Sequence, residues 1–306
     1  MDNNIDGIIK VLESYGPLTG KQILELLNID VFYLWKSCNN CKKVITKTVG
    51  NRYLRFDKHV EGYARLSPSI LREFCSYTVI GLEEQIQEIL IKAQLLHDDI
   101  KKISKGKLEL ARDIITKIVE YQEVSKTIKE CSCFIISGDV AYEMSHMEPR
   151  PEFSTGKLVN GSDLDIVVVT SGLPDSLAKG LDSSIYEQKA YLLKNPSFRE
   201  EIDYIIKDIS KVKEQLKFDS FNSMVAIKIL HEGKFLYGNL DIFNEVKKLL
   251  IDEGIPEKIA ELKEKAIINR NNAISKLLTC ENPMLDEESF KLFYTTEERE
   301  EFFELC

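Results

Sequence analysis

The chain has 306 residues, 43% of them hydrophobic, with a mean hydropathy of -0.19 and a formal net charge of -9. That length is enough for two or three domains with proper cores, and no long span has a disordered composition. No apolar run reaches bilayer length, the start MDNNIDGIIK lacks a basic segment followed by an apolar core, and seven cysteines are an odd number scattered along the chain, so the expectation is a soluble cytoplasmic protein without a disulfide framework. The acidity is uneven: residues 1–65 hold ten Lys/Arg against seven Asp/Glu, whereas residues 281–306 hold two against nine.

Ile5 to Ser14 has amphipathic helical spacing, and GPLTGKQILELLN predicts a second helix capped by Thr19 with Ile23, Leu24, Leu26 and Leu27 on its buried side. A third helix is expected over Val31 to Cys38. Two short strands, Val44 to Thr48 and Arg52 to Phe56, are expected to pair across Gly50-Asn51. Three helices and a hairpin resemble a winged helix-turn-helix in layout. That resemblance implies a third helix that reads a groove, with Tyr33, Lys36, Lys47, Arg52 and Arg55 facing nucleic-acid phosphates. Many such modules pair with proteins instead, and both readings stay open here. Cys38 and Cys41 form a CxxC with no second pair at zinc-ribbon spacing, which reads as two partly buried helix-end cysteines.

From Gly81 to Ile128 apolar residues recur at helical spacing, with a break expected near SKGK, so a two-helix connector is predicted. Then CFIISGDVAYEMSH predicts a strand over Phe134 to Ile136, a tight turn at Ser137-Gly138-Asp139 and a helix from Val140. Backbone amides at such a turn can hold a phosphate. In GSDLDIVVVT an apolar β-branched run predicts a buried strand, in which Asp163 and Asp165 share one face. Two carboxylates that close repel unless a cation joins them, although a strand ending at the surface accounts for them equally well. REEIDYIIKD predicts a strand carrying Asp203, and SMVAIKILHEGKFLYG a strand pair around Glu232-Gly233.

A strand, a small-residue turn, a helix, an Asp-x-Asp strand and a later strand with one more carboxylate resemble the DNA polymerase β-like nucleotidyltransferase superfamily over residues 131–245. The resemblance implies metal-dependent transfer of a nucleoside monophosphate from a nucleoside triphosphate to a hydroxyl acceptor, such as an RNA or DNA end, with Mg²⁺ or Mn²⁺ as cofactor. It implies that Asp163, Asp165 and Asp203 hold the metals, and that Ser137, Gly138 and Ser162 face the triphosphate. Lys228 is a further phosphate candidate. The turn reads Ser-Gly-Asp, which brings Asp139 near the phosphates, and the 24 residues between Gly138 and Asp163 exceed the family's usual spacing. HMEPRPEFSTGKLVNGS is accordingly read as a loop insertion, with Arg150 and Lys157 at the pocket mouth.

The chain then predicts a helix over Ile255 to Leu278. The tail is expected to pack Phe290, Phe293, Phe302 and Phe303 on the body. The expected fold class is α+β: a winged helix over 1–65, a helical connector over 66–129, a nucleotidyltransferase core of mixed sheet and flanking helices over 130–245, and a helical C-terminal region over 246–306. The alternative function is a winged-helix DNA-binding regulator whose transferase domain senses nucleotide without turnover. No membrane partner is expected, and oligomeric state is not legible.

Overall fold

The computed structural model describes residues 2–152, 156–281, 287–295 and 298. The fold is mixed α and β, and the chain divides into two compact units, residues 1–99 with 261–306, and residues 100–260. The stretch expected as a connector, 66–129, is therefore divided between them. No helix among the described residues is long and apolar enough to cross a membrane.

The first unit opens with helices Asp2–Tyr15, Gly20–Leu27 and Val31–Asn40. Thr19 starts the second with a capping box shared with Gln22, and Asp30 caps the third by accepting from the Tyr33 amide at 2.9 Å. Their apolar faces, including Ile8, Leu12, Ile23 and Leu34, close on a three-stranded antiparallel sheet in the order Leu18–Thr19, Thr78–Leu82, Val44–Thr48. The expected pairing across Gly50-Asn51 does not form. Val44–Thr48 pairs with Thr78–Leu82, a strand buried along its whole length, and the Thr48 and Thr78 hydroxyls meet at 2.9 Å. Tyr53–Phe56 pairs instead with Ala64–Ser67. A Gly-Asn pair is only a local turn signal, and burial of a more distant strand outweighs it.

At the other end of the chain, Phe293 is fully buried, with its ring 5.2 Å from both Phe32 and Trp35, and Phe290 stacks on it at 5.8 Å. The expected packing of Phe290 and Phe293 on the body is seen, whereas Phe302 and Phe303 lie outside the described residues. The same unit holds a set of ion pairs around Glu73 and Arg65. Glu73 accepts a two-pronged pair from Arg52 (2.5 and 2.8 Å) and sits 3.0 Å from Arg270, while Arg65 meets Asp57 at 2.8 Å.

The predicted break near SKGK is absent. Ile86–Glu120 is one helix of 35 residues, because its inward face stays in phase through Ile100, Ser104, Lys107, Ala111 and Ile115, and the space around Gly106 is open. In the second unit four strands form a mixed sheet in the order Ile202–Asp208, Leu164–Thr170, Ser132–Ile136, Lys234–Gly238; the first two are parallel and the other neighbours antiparallel. Its core gathers Phe134, Ile136, Leu164, Ile166, Val168 and Ile202 with Leu181 and Ile185 of the helix Asp175–Lys194. The strand pair expected around Glu232-Gly233 is corrected: Phe221–Glu232 is a helix and only Lys234–Gly238 is a strand. Ser220 caps that helix by accepting from the Ser223 amide at 3.2 Å, and Lys228 pairs with Glu232 one turn on, whereas the short apolar run alone had no decisive period. The insertion after Gly138 is also not a plain loop, since Pro149–Glu152 and Lys157–Asn160 pair as a hairpin.

Replacing Phe293 with Ala should remove an anchor of the first unit. The expected loss is about 3–5 kcal/mol of unfolding free energy, read as a lower urea midpoint.

Candidate active site

The site forms at one end of the mixed sheet, where three strands present their ends together. Ser132–Ile136 finishes at Ser137, whose amide donates to the Asp165 carbonyl at 2.9 Å. Asp165 pairs in register with Asp203 on the parallel neighbour, so the two side chains leave the same face of adjacent strands. Asp163 lies two residues before Asp165, just outside the strand. Sequence spacing put Asp163 near Asp165 and the resemblance added Asp203; the register now pairs Asp203 with Asp165.

Gly138 makes the close approach possible. Its φ is +63°, and a Cβ there would come within 2.0 Å of Asp165 Oδ2. Its amide is already engaged, donating to Glu232 Oε1 at 3.2 Å. Glu232 is almost fully buried and pairs with Lys228, which lies under the Tyr142 ring at 5.4 Å. Lys228 is thus on a helix, and a carboxylate already holds it. Burial and the neighbouring Glu232 push the Tyr142 phenol up. Ser137 Oγ turns to the Asp165 carbonyl at 3.3 Å.

The acidic end carries its own cations. Arg150 of the hairpin contacts Asp163 Oδ1, reaches Glu201 Oε2 at 2.8 Å, and donates from Nε to the Gly161 carbonyl at 2.8 Å. Lys189 lies 2.8 Å from Asp203, whose side chain is 56% exposed, and 4.0 Å from Glu201. Asp139 turns to Ser162, whose hydroxyl donates to it at 2.7 Å, and the same hydroxyl accepts from the His146 amide at 3.2 Å. Lys157 is exposed. Glu201, Lys189 and Glu232 were not anticipated, although Glu201 stands two residues before Asp203 and strand alternation aims both the same way.

Below the hairpin, Lys107 is buried. Its ammonium donates to Glu200 at 2.7 Å and to the Asn160 carbonyl at 2.9 Å. Burial lowers the Lys107 pKa and raises that of Glu200, and their mutual attraction opposes both shifts.

An all-oxygen donor set of carboxylates suits a hard divalent cation. Among the described residues, however, no group of three or more His, Cys, Asp or Glu side chains is gathered around a metal-sized point; the cations at these acids are Arg150 and Lys189.

The expected nucleic-acid residues lie on Val31–Asn40, on Val44–Thr48, and on or just before Tyr53–Phe56. Tyr33 and Lys47 are exposed, and Arg55 is exposed on Tyr53–Phe56. Arg52 is tied to Glu73, and Lys36 donates to the Cys280 carbonyl. Phe32 and Trp35 turn the adjoining face of the helix onto Phe293. Comparison with protein-family models, with curated proteins and with solved structures finds no match.

Lys107→Ala should leave Glu200 buried without its partner, costing about 3–5 kcal/mol at pH 8. An acid whose folded pKa is raised favours the folded state below its unfolded pKa and loses that contribution as pH rises through the folded value. The cost in thermal or urea denaturation should therefore shrink toward pH 5.

Proposed function

We propose that residues 130–245 carry out metal-dependent nucleotidyl transfer to a hydroxyl acceptor such as an RNA or DNA end. The observation that supports this most is the in-register pairing of Asp165 with Asp203, beside the Ser137-Gly138 turn and two residues after Asp163. In the reaction a bond forms between the acceptor oxygen and the α-phosphorus, the bond to the β-phosphate bridge breaks, and pyrophosphate leaves. Asp163, Asp165 and Asp203 would hold Mg²⁺ or Mn²⁺, which when bound offsets negative charge on the attacking and leaving oxygens. Asp203, the most exposed of the three, faces the acceptor hydroxyl and takes its proton. Ser162 keeps Asp139 turned aside, which removes the charge conflict that a Ser-Gly-Asp turn creates for a triphosphate. Lys228, held by Glu232, is not assigned to phosphate.

One observation favours the second reading, a DNA-binding regulator that senses nucleotide: Lys189 already neutralises Asp203. Incubation with labelled nucleoside triphosphates, Mg²⁺ or Mn²⁺ and separate RNA, DNA and protein acceptors discriminates between them. The transferase should label one acceptor, and Asp203→Asn should slow labelling by about 10²–10⁴-fold. Saturable nucleotide binding with no labelled product from any acceptor would leave the regulator.

Nucleic-acid contact by the first unit rests on its exposed basic residues. Lys47→Glu with Arg55→Glu should weaken RNA or DNA binding and reduce its salt slope by about one for each phosphate that is no longer neutralised. An unchanged isotherm would assign this surface to another partner.

A further inference from the structure

The mixed sheet ends at Ile202–Asp208, which has Leu164–Thr170 on one side and, among the described residues, no strand on the other. The Leu164 amide donates to the Glu201 carbonyl at 2.9 Å, so in this parallel pair the backbone groups of Glu201, Asp203, Ile205 and Lys207 face inward. Those of Ile202, Tyr204, Ile206 and Asp208 face the outer edge. Such a row of donors and acceptors is a template for a further strand.

Two side chains of this strand lack what a neighbour would give them. Ile205, in the middle of the strand, is 50% exposed. Lys207 is buried, and among the described residues its ammonium bonds only the neutral Gln215 Oε1, at 3.2 Å. Burial, helped by the nearby charge of Lys211, pushes its pKa down to about 8. A buried ammonium without a carboxylate is costly.

Read in reverse, the strand is complementary to itself. With a twofold axis at Ile205, antiparallel pairing sets Ile205 against its own copy, Tyr204 against Ile206, and Asp203 against Lys207. Tyr204 and Ile206 are residues whose backbone groups face outward, so each such pair exchanges both of its hydrogen bonds. Asp203, Ile205 and Lys207 share one face by strand alternation. Asp203 of a second copy therefore brings the carboxylate that Lys207 lacks. Lys189 takes Asp203 Oδ1 at 2.8 Å and leaves the second oxygen for this contact.

We propose that this edge is a homodimer interface, in which two copies pair antiparallel through Ile202–Asp208 and join their four-stranded sheets into one. The match of charge and shape occurs twice about the axis, which favours a second copy of this chain over an unrelated extended peptide. The pairing is independent of the transfer reading above.

Sedimentation velocity of the 306-residue chain over a concentration series should show a monomer–dimer equilibrium. Ile206→Pro removes an amide that faces outward and spares the ladder to Leu164–Thr170. It should keep the melting temperature and raise the dimer dissociation constant about tenfold or more, since each dimer loses two hydrogen bonds. Asp203→Lys sets like charges opposite each other on both sides of the axis and should weaken the dimer about tenfold; its side chain is exposed, so it carries the test if Ile206→Pro does not fold. A chain that stays monomeric throughout the series, or a dimer that neither variant weakens, overturns the proposal.

Discussion

Mutual repulsion of carboxylates at one end of a sheet governs the second unit. Parallel pairing in register brings Asp165 beside Asp203, and the chain direction brings Asp163 to the same end. Like charges on neighbouring strands are unfavourable unless each finds an opposing charge or a donor. Much of the surrounding architecture supplies them: an arginine from an inserted hairpin, a lysine from the helix Asp175–Lys194, and a serine hydroxyl for Asp139.

The same solution recurs where charge is buried outright. Glu232 finds both an ammonium and the Gly138 amide, and in the first unit Glu73 finds two guanidinium groups. Removing a partner of a buried carboxylate leaves its charge less well offset, so these sets fix which segments meet more than they add net stability. In the first unit the result is a C-terminal segment whose aromatic rings complete the core formed by the third helix.

What was legible in the sequence followed from local signals. The Thr19 cap, the apolar run after Asp165 and the Ser137-Gly138 turn all act within a few residues, and each fell where spacing indicated. What was not legible depended on distant partners. Val44–Thr48 chose a strand thirty residues on over the adjacent one, which no turn signal encodes. The run before Gly233 was short enough to suit either a strand or a helix, and a serine cap with an ion pair one turn apart decided it. Ser-Lys-Gly-Lys looked like a break because glycine is a poor helix former, yet the buried face continued in phase through it. Glu201 had a signal, its alternation with Asp203, that points the same way as the Asp163 and Asp165 pattern.

Lys107 and Glu200 lie 93 positions apart in the chain yet form one electrical neighbour pair beneath the hairpin. Neither residue has an acceptable single replacement by an apolar one, since the survivor would be a buried charge in isolation. The two positions can drift only in concert, to a pair of reversed sign or to two apolar side chains of matching volume. Among descendants of this sequence they would therefore behave as a single inherited character, and a chain that kept one of them without the other would have rebuilt the floor under Asn160.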